Sequence, residues 1–173
     1  MVRTALAVAL SLIAAPLFAQ SYTFSGIPWG SSRADVQKKF DSMKFDEVNA
    51  SDEGITFQQK LTQIEVLGQA KFDDHGLNQI MVVYFPHENK ALSLFDAVVK
   101  TLTKTHGEPI MMTREFEEPY AEGDGLEDTA IRTGKATLQA GWGTEDGEHV
   151  KMGAFPYQGR IAIITMYQAG AQE

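Results

Sequence analysis

The sequence predicts an α+β fold built from two tandem α-β-β-β units, with helices packed on one face of an antiparallel sheet. Three observations lead there. Two segments with helical spacing of apolar residues are each followed by alternating, strand-like segments. Glycine-containing turns separate consecutive strand candidates. Finally, the pattern Phe72-x3-Gly76-x3-Ile80-x3-Tyr84 recurs 83 positions later as Phe155-x3-Gly159-x3-Ile163-x3-Tyr167.

The elements follow in order. After an extended opening over 22–28, Ser32 with Asp35 three residues on fits a capping box, in which hydroxyl and carboxylate each satisfy a free backbone N–H. Val36, Phe40 and Met43 then recur at i, i+4 and i+7, the apolar stripe of a short helix. A polar stretch ends it by Gly54. Ile55, Phe57 and Leu61 mark a first, weaker strand. Ile64, Val66, Gly68, Ala70 and Phe72 alternate with Glu65, Gln69 and Lys71, a half-buried strand. Asp73-Asp74-His75-Gly76 turns the chain, and 77–85 returns as a third strand closed by Pro86.

A second helix is predicted over 89–106, where Ala91, Phe95, Val98 and Leu102 hold the period. Lys100, Lys104 and His106 sit in its last turns, where the helix dipole favours positive charge, and Gly107 and Pro109 end it. The segment 113–129 is irregular and reads as an acidic loop. Strand candidates 131–142, 149–155 and 160–167 follow, separated by Glu145-Asp146-Gly147 and Gln158-Gly159 turns. Unit one spans about 22–86 and unit two about 87–168. A glycine hairpin between apolar strands is common enough for four matches to arise by chance, but the shared order of elements favours duplication.

The closing strand of each unit is apolar on both faces. Ile80, Val82 and Tyr84 alternate with Met81, Val83 and Phe85; Ile161, Ile163 and Tyr167 alternate with Ala162, Ile164 and Met166. Helices cover only one face of such a sheet. The other half of the protein, a second subunit or an external ligand must cover the rest; if the sheet is open, the free face with Trp142 nearby becomes the binding surface to test first.

This layout resembles the tandem units of β-lactamase inhibitor protein and the single-unit, small outer-membrane-assembly lipoproteins. The opening Phe24-Ser-Gly-Ile-Pro-Trp-Gly-Ser-Ser with Val36, and Lys104-Thr-His-Gly-Glu-Pro109, are similar to signatures of bacterial envelope proteins. The resemblance implies a binding or assembly role rather than catalysis. Its motifs are short and structural, marking helix starts and stops, so no individual functional residue carries over. The lipoproteins' N-terminal cysteine, which tethers them to the membrane, and the inhibitors' disulfides have no counterpart in this chain.

Residues 1–19 have the layout of a secretory signal peptide: Arg3 in the n-region, an apolar run over 5–15, a break at Pro16 and a small residue, Ala19, at the expected cleavage point. The apolar run is too short to span a bilayer, which takes ~20 residues. Cleavage leaves one domain of 154 residues, 20–173, in the periplasm without a membrane anchor. Without Arg3, 14 basic residues face 23 acidic ones, a net charge of −9. That argues against nucleic acid, whose phosphates need a basic face. With no cysteine, the domain has no disulfide and relies on burial and hydrogen bonds.

No catalytic residues, cofactor or metal site are predicted. His75, His87, His106 and His149 form no i, i+4 pair or zinc spacing, although Asp73, Asp74 and His75 with His87 offer a loop-assembled alternative. There is no Gly-x-Ser-x-Gly elbow, and the glycine-rich pieces have no following Lys-Ser/Thr. Within 115–128, seven acids are interleaved with Phe116, Tyr120 and Leu126. This segment reads as a solvated loop, as a partner-binding loop whose aromatics anchor in a basic groove, or as a calcium site lacking the usual spacing. Candidate binding residues are Phe116, Tyr120 and Trp142. The expected role is that of a non-catalytic protein-binding or envelope-assembly module whose partner is another envelope protein. The alternative is a small-molecule or lipid carrier with a pocket between helices and sheet. The oligomeric state is left open.

Overall fold

The computed structural model describes residues 22–87, 89–144 and 147–171, so the predicted signal peptide lies outside the described residues. The described residues form one eight-stranded antiparallel sheet and three helices: α1 (Arg33–Ser42), β1 (Glu47–Ser51), β2 (Gly54–Leu61), β3 (Ile64–Asp73), β4 (Gly76–Pro86), α2 (Ala91–His106), β5 (Met111–Phe116), α3 (Glu127–Arg132), β6 (Ala136–Gly143), β7 (His149–Tyr157) and β8 (Arg160–Gln168). Strand order is β1-β2-β3-β4-β8-β7-β6-β5, so the two hairpin-closing strands, β4 and β8, meet at the centre. Fold class is therefore α+β, with the helices on one face. No described helix is long and apolar enough to cross a membrane.

The helices form where the apolar period says. Val36 and Phe40 of α1 are fully buried, and Phe40 meets Phe57 of β2 edge to face at 4.9 Å between ring centroids. The Ser32 hydroxyl accepts from the Asp35 N–H at 3.2 Å and itself bonds the Asp35 carboxylate at 2.7 Å, a tighter local loop than the expected reciprocal box. Helix α2 buries Ala91, Phe95, Leu102 and His106. It starts two residues later than predicted and has no cap of its own. Instead the Asp128 carboxylate in α3 accepts from the Ala91 and Leu92 N–H groups at 2.8 and 3.0 Å, satisfying two of the donors left free at a helix start.

Three elements differ from expectation. Strand β1, Glu-Val-Asn-Ala-Ser, carries a single half-buried residue, Val48, and so shows no alternation to read. Strand β5 and helix α3 occupy the two ends of the segment read as an acidic loop, leaving only 117–126 irregular. Ile131, read as the start of a strand, is buried with Ala130 in α3; the strand begins at Ala136. Each of these elements is short, of five or six residues, and too short to show a period of its own.

Below the helices lies one core, running from Ile55, Phe57 and Ala70 through Ile80, Val82 and Ile163 to Leu138, Trp142 and Val150. The Gly76 turn shows how closely the opening segment packs on it. Gly76 has φ +104°, and its added Cβ would meet the Gly30 carbonyl at 2.4 Å. Across this contact the Gly30 N–H donates to the Leu77 carbonyl at 2.9 Å and the Leu77 N–H to the Ser31 carbonyl at 3.0 Å. Only glycine fits there.

Candidate functional site

The free face of the sheet is the candidate site. Because side chains alternate, the strands that bury Val82 and Ile163 towards the helices turn the intervening residues outward. Register lines these up in rows across the sheet. One row reads Glu47, Gln58, Leu67, Val83, Ile164, Gly153, Gln139, Thr113 from β1 to β5. The next reads Asn49, Thr56, Gln69, Met81, Met166, Lys151, Gly141, Met111. Each row is apolar at its centre and polar over β1 and β2, and the second row turns apolar again at Met111. Leu67, Met81, Val83, Ile164 and Met166 are half-buried on the face turned away from the helices.

Two depressions flank this centre. One, of about 320 Å³, lies over β1–β4 among Thr56, Gln58, Leu67, Gln69, Met81 and Val83. The other, of about 340 Å³, is bounded by Met111, Gln139, Lys151, Phe155, Ile164 and Met166. Its floor is Gly153, where a Cβ would strike the Phe155 ring at 2.7 Å; the ring lies across the glycine and is still 41 % exposed. The Gln79 amide reaches Gln168 at 2.9 Å and the Met166 sulfur at 3.2 Å, which fixes the edge of the apolar patch. A surface of methionines, branched aliphatics and one exposed ring, framed by amides, makes van der Waals contact and adapts to shape.

The three residues singled out from sequence are not on this face. Trp142 is 1 % exposed on the helix side, with its indole N–H donated to the Gly107 carbonyl at 2.8 Å. Its place is structural, locking the end of α2 to β6. Phe116 ends β5 opposite Ala136 and packs half-buried against the core. Tyr120 lies beyond it in the irregular segment, its N–H donated to the Glu117 carbonyl. Sequence reading missed Gly153, Phe155 and the Met81–Met166 pair, although the alternation of the closing strands already put Met81, Ile164 and Met166 on the second face.

Most of the acids of the segment have intramolecular partners. Arg114 binds both Asp96 and Glu122; the Glu122 hydrogen bond, then the charge of Asp96, raises its pKa above the ordinary arginine value despite some opposing desolvation. Lys135 binds Glu117 at 2.6 Å, Asp124 accepts from the Ala121 and Leu126 N–H groups, and Glu127 accepts from Gly123. Such bonds fold the segment onto its neighbours. Among the described residues no three His, Asp or Glu side chains are placed to hold a metal ion, so Asp73, Asp74, His75 and His87 do not assemble the site that sequence left open. Asp73 instead accepts from the His75 N–H and the Asn78 amide, which lowers its pKa.

No protein-family profile, curated protein or solved structure matches this chain.

Proposed function

We propose that the chain is an exported, periplasmic, non-catalytic module that binds another envelope protein through the free face of its sheet. The observation that carries the reading is the apolar centre of that face, Leu67, Met81, Val83, Ile164 and Met166, left uncovered by the helices. A row of half-buried aliphatics framed by amides is the composition of an interface core with a polar rim. The export signal over 1–19 supplies the compartment.

The reading extends to the origin of the fold as two tandem units, which the central seam supports. The repeat residues face each other across it: Ile80 pairs with Tyr167 and Tyr84 with Ile163. A two-fold axis between Val82 and Thr165 would exchange Ile80 with Ile163 and Tyr84 with Tyr167, 83 positions on. Phe72 and Phe155 fall out of step, Phe72 packing on the core and Phe155 lying on the free face. Each unit then gains one strand over the expected three, β1 in the first and β5 in the second. The resemblance to tandem envelope proteins rests on this order of elements.

The test is photo-crosslinking from position Ile164 in envelope extracts, with Thr129, an exposed residue of α3, as control. A discrete cross-linked protein seen from 164, absent from 129 and abolished by Met81→Glu, is expected. Recovery of the same abundant proteins from both positions would remove the support for this reading.

A further inference from the structure

The central seam that joins the two halves of the sheet does not run its full length. Pairing of β4 with β8 stops at Tyr84–Ile163, whereas β4 stays paired with β3 as far as Pro86 and β8 with β7 as far as Arg160. The two strands therefore part like a fork, and a cleft of about 390 Å³ opens between them, running under the start of α2 and along α3.

The walls of the fork are apolar: Leu61, Ile64, Phe85, Pro86 and Ile161. Its charged groups are Lys60, Arg132 and Arg160 against Glu65 and Asp128, a positive balance in a chain of net charge −8. Both acids are engaged. Glu65 is bound to Arg160 at 3.1 Å, and Asp128 is held by the first two N–H groups of α2. Arg160 is fixed in place, its guanidinium 4.4 Å over the Phe85 ring, and one carboxylate leaves most of its five donors unused. Lys60 and Arg132 have no ion-pair partner among the described residues.

We infer that the fork binds a single-chain anionic amphiphile, its carboxylate or phosphate head between Lys60, Arg132 and Arg160 and its chain along Ile64, Phe85 and Ile161. The volume matches a small ligand of this kind, at the lower end of the range for small-molecule sites. Guanidinium donors select oxyanions that accept two parallel N–H bonds, as carboxylates and phosphates both do, and the apolar wall selects against a bare ion. The cleft lies at the end of the sheet and does not include the apolar rows of the free face, so this inference stands or falls apart from the protein-binding reading.

The experiment titrates the purified chain with octanoate, octyl phosphate, 1-octanol and acetate, followed by calorimetry and backbone NMR shifts. One of the two anionic amphiphiles is expected to bind at least tenfold tighter than octanol and acetate, with shifts centred on Arg132, Gly159 and Ile161; the tighter of the two identifies the head group. Losing a charged hydrogen-bond donor corresponds to about a tenfold weakening, expected for Arg132→Gln, with Lys60→Gln as a second variant on an exposed strand end. Both should keep the parent melting temperature. Equal binding of octanol and octanoate, shifts on the Met81–Ile164 face, or wild-type affinity in both folded variants would overturn the inference.

Discussion

The two faces of the sheet use the same strands and the same kinds of residue, yet they carry different obligations. On the covered face Val82, Ile163 and Ala140 are sealed against helices, and each side chain has a fixed shape to fill. On the free face Val83, Ile164 and Met166 remain partly exposed to solvent. The first face stabilises the fold. The second is under no such constraint, and its apolar character needs another cause.

Substitutions that separate the faces test this directly. Trp142→Ala leaves a cavity and an unpaired Gly107 carbonyl on the covered side, and a loss of about 3–5 kcal/mol is expected by urea denaturation. Asp128→Ala removes the shared cap of α2 and is expected to lower stability by about 1 kcal/mol. On the free side Ile164→Thr should change stability by less than about 1 kcal/mol while weakening partner capture. If Ile164→Thr destabilised the chain as much as Trp142→Ala, the contrast between the faces would collapse.

A pH dependence sharpens the same contrast. Tyr167 is buried on the covered face, and desolvation, with a lesser contribution from Tyr84, pushes its pKa well above 10.0. Its neutral form is favoured in the folded state. That contribution is whole below the unfolded value near 10.0 and is lost as pH rises towards the folded one, so the urea midpoint should fall between pH 9 and 11. Tyr167→Phe should make that fall shallower. Tyr84, raised by burial, and Lys135, raised by its Glu117 partner, contribute to the part that remains.

Much of the fold was legible because burial writes itself as period. Val36, Phe40 and Phe95 announced two helices, and the alternation from Ile64 to Phe72 announced β3. What escaped was held by partners rather than by pattern. Strand β1 buries almost nothing, and β5 hides Arg114 among acids that read as loop. The site was half legible for the same reason. Alternation placed Met81, Ile164 and Met166 on a second face, but an aromatic residue gives no sign of whether it is core or surface. Trp142 drew attention by its type and proved to be core. The fork between β4 and β8 had no sequence signal, since it arises from where a pairing stops.

Asp128 sits 37 residues from the helix it caps. The amides of Ala91 and Leu92 are therefore protected only while α3 is docked. In a hydrogen-exchange experiment these two groups should open together with α3, ahead of the middle of α2, and their rate would time the excursions of a helix that is not their own. One carboxylate thus ties the first turn of one helix to the residence time of another.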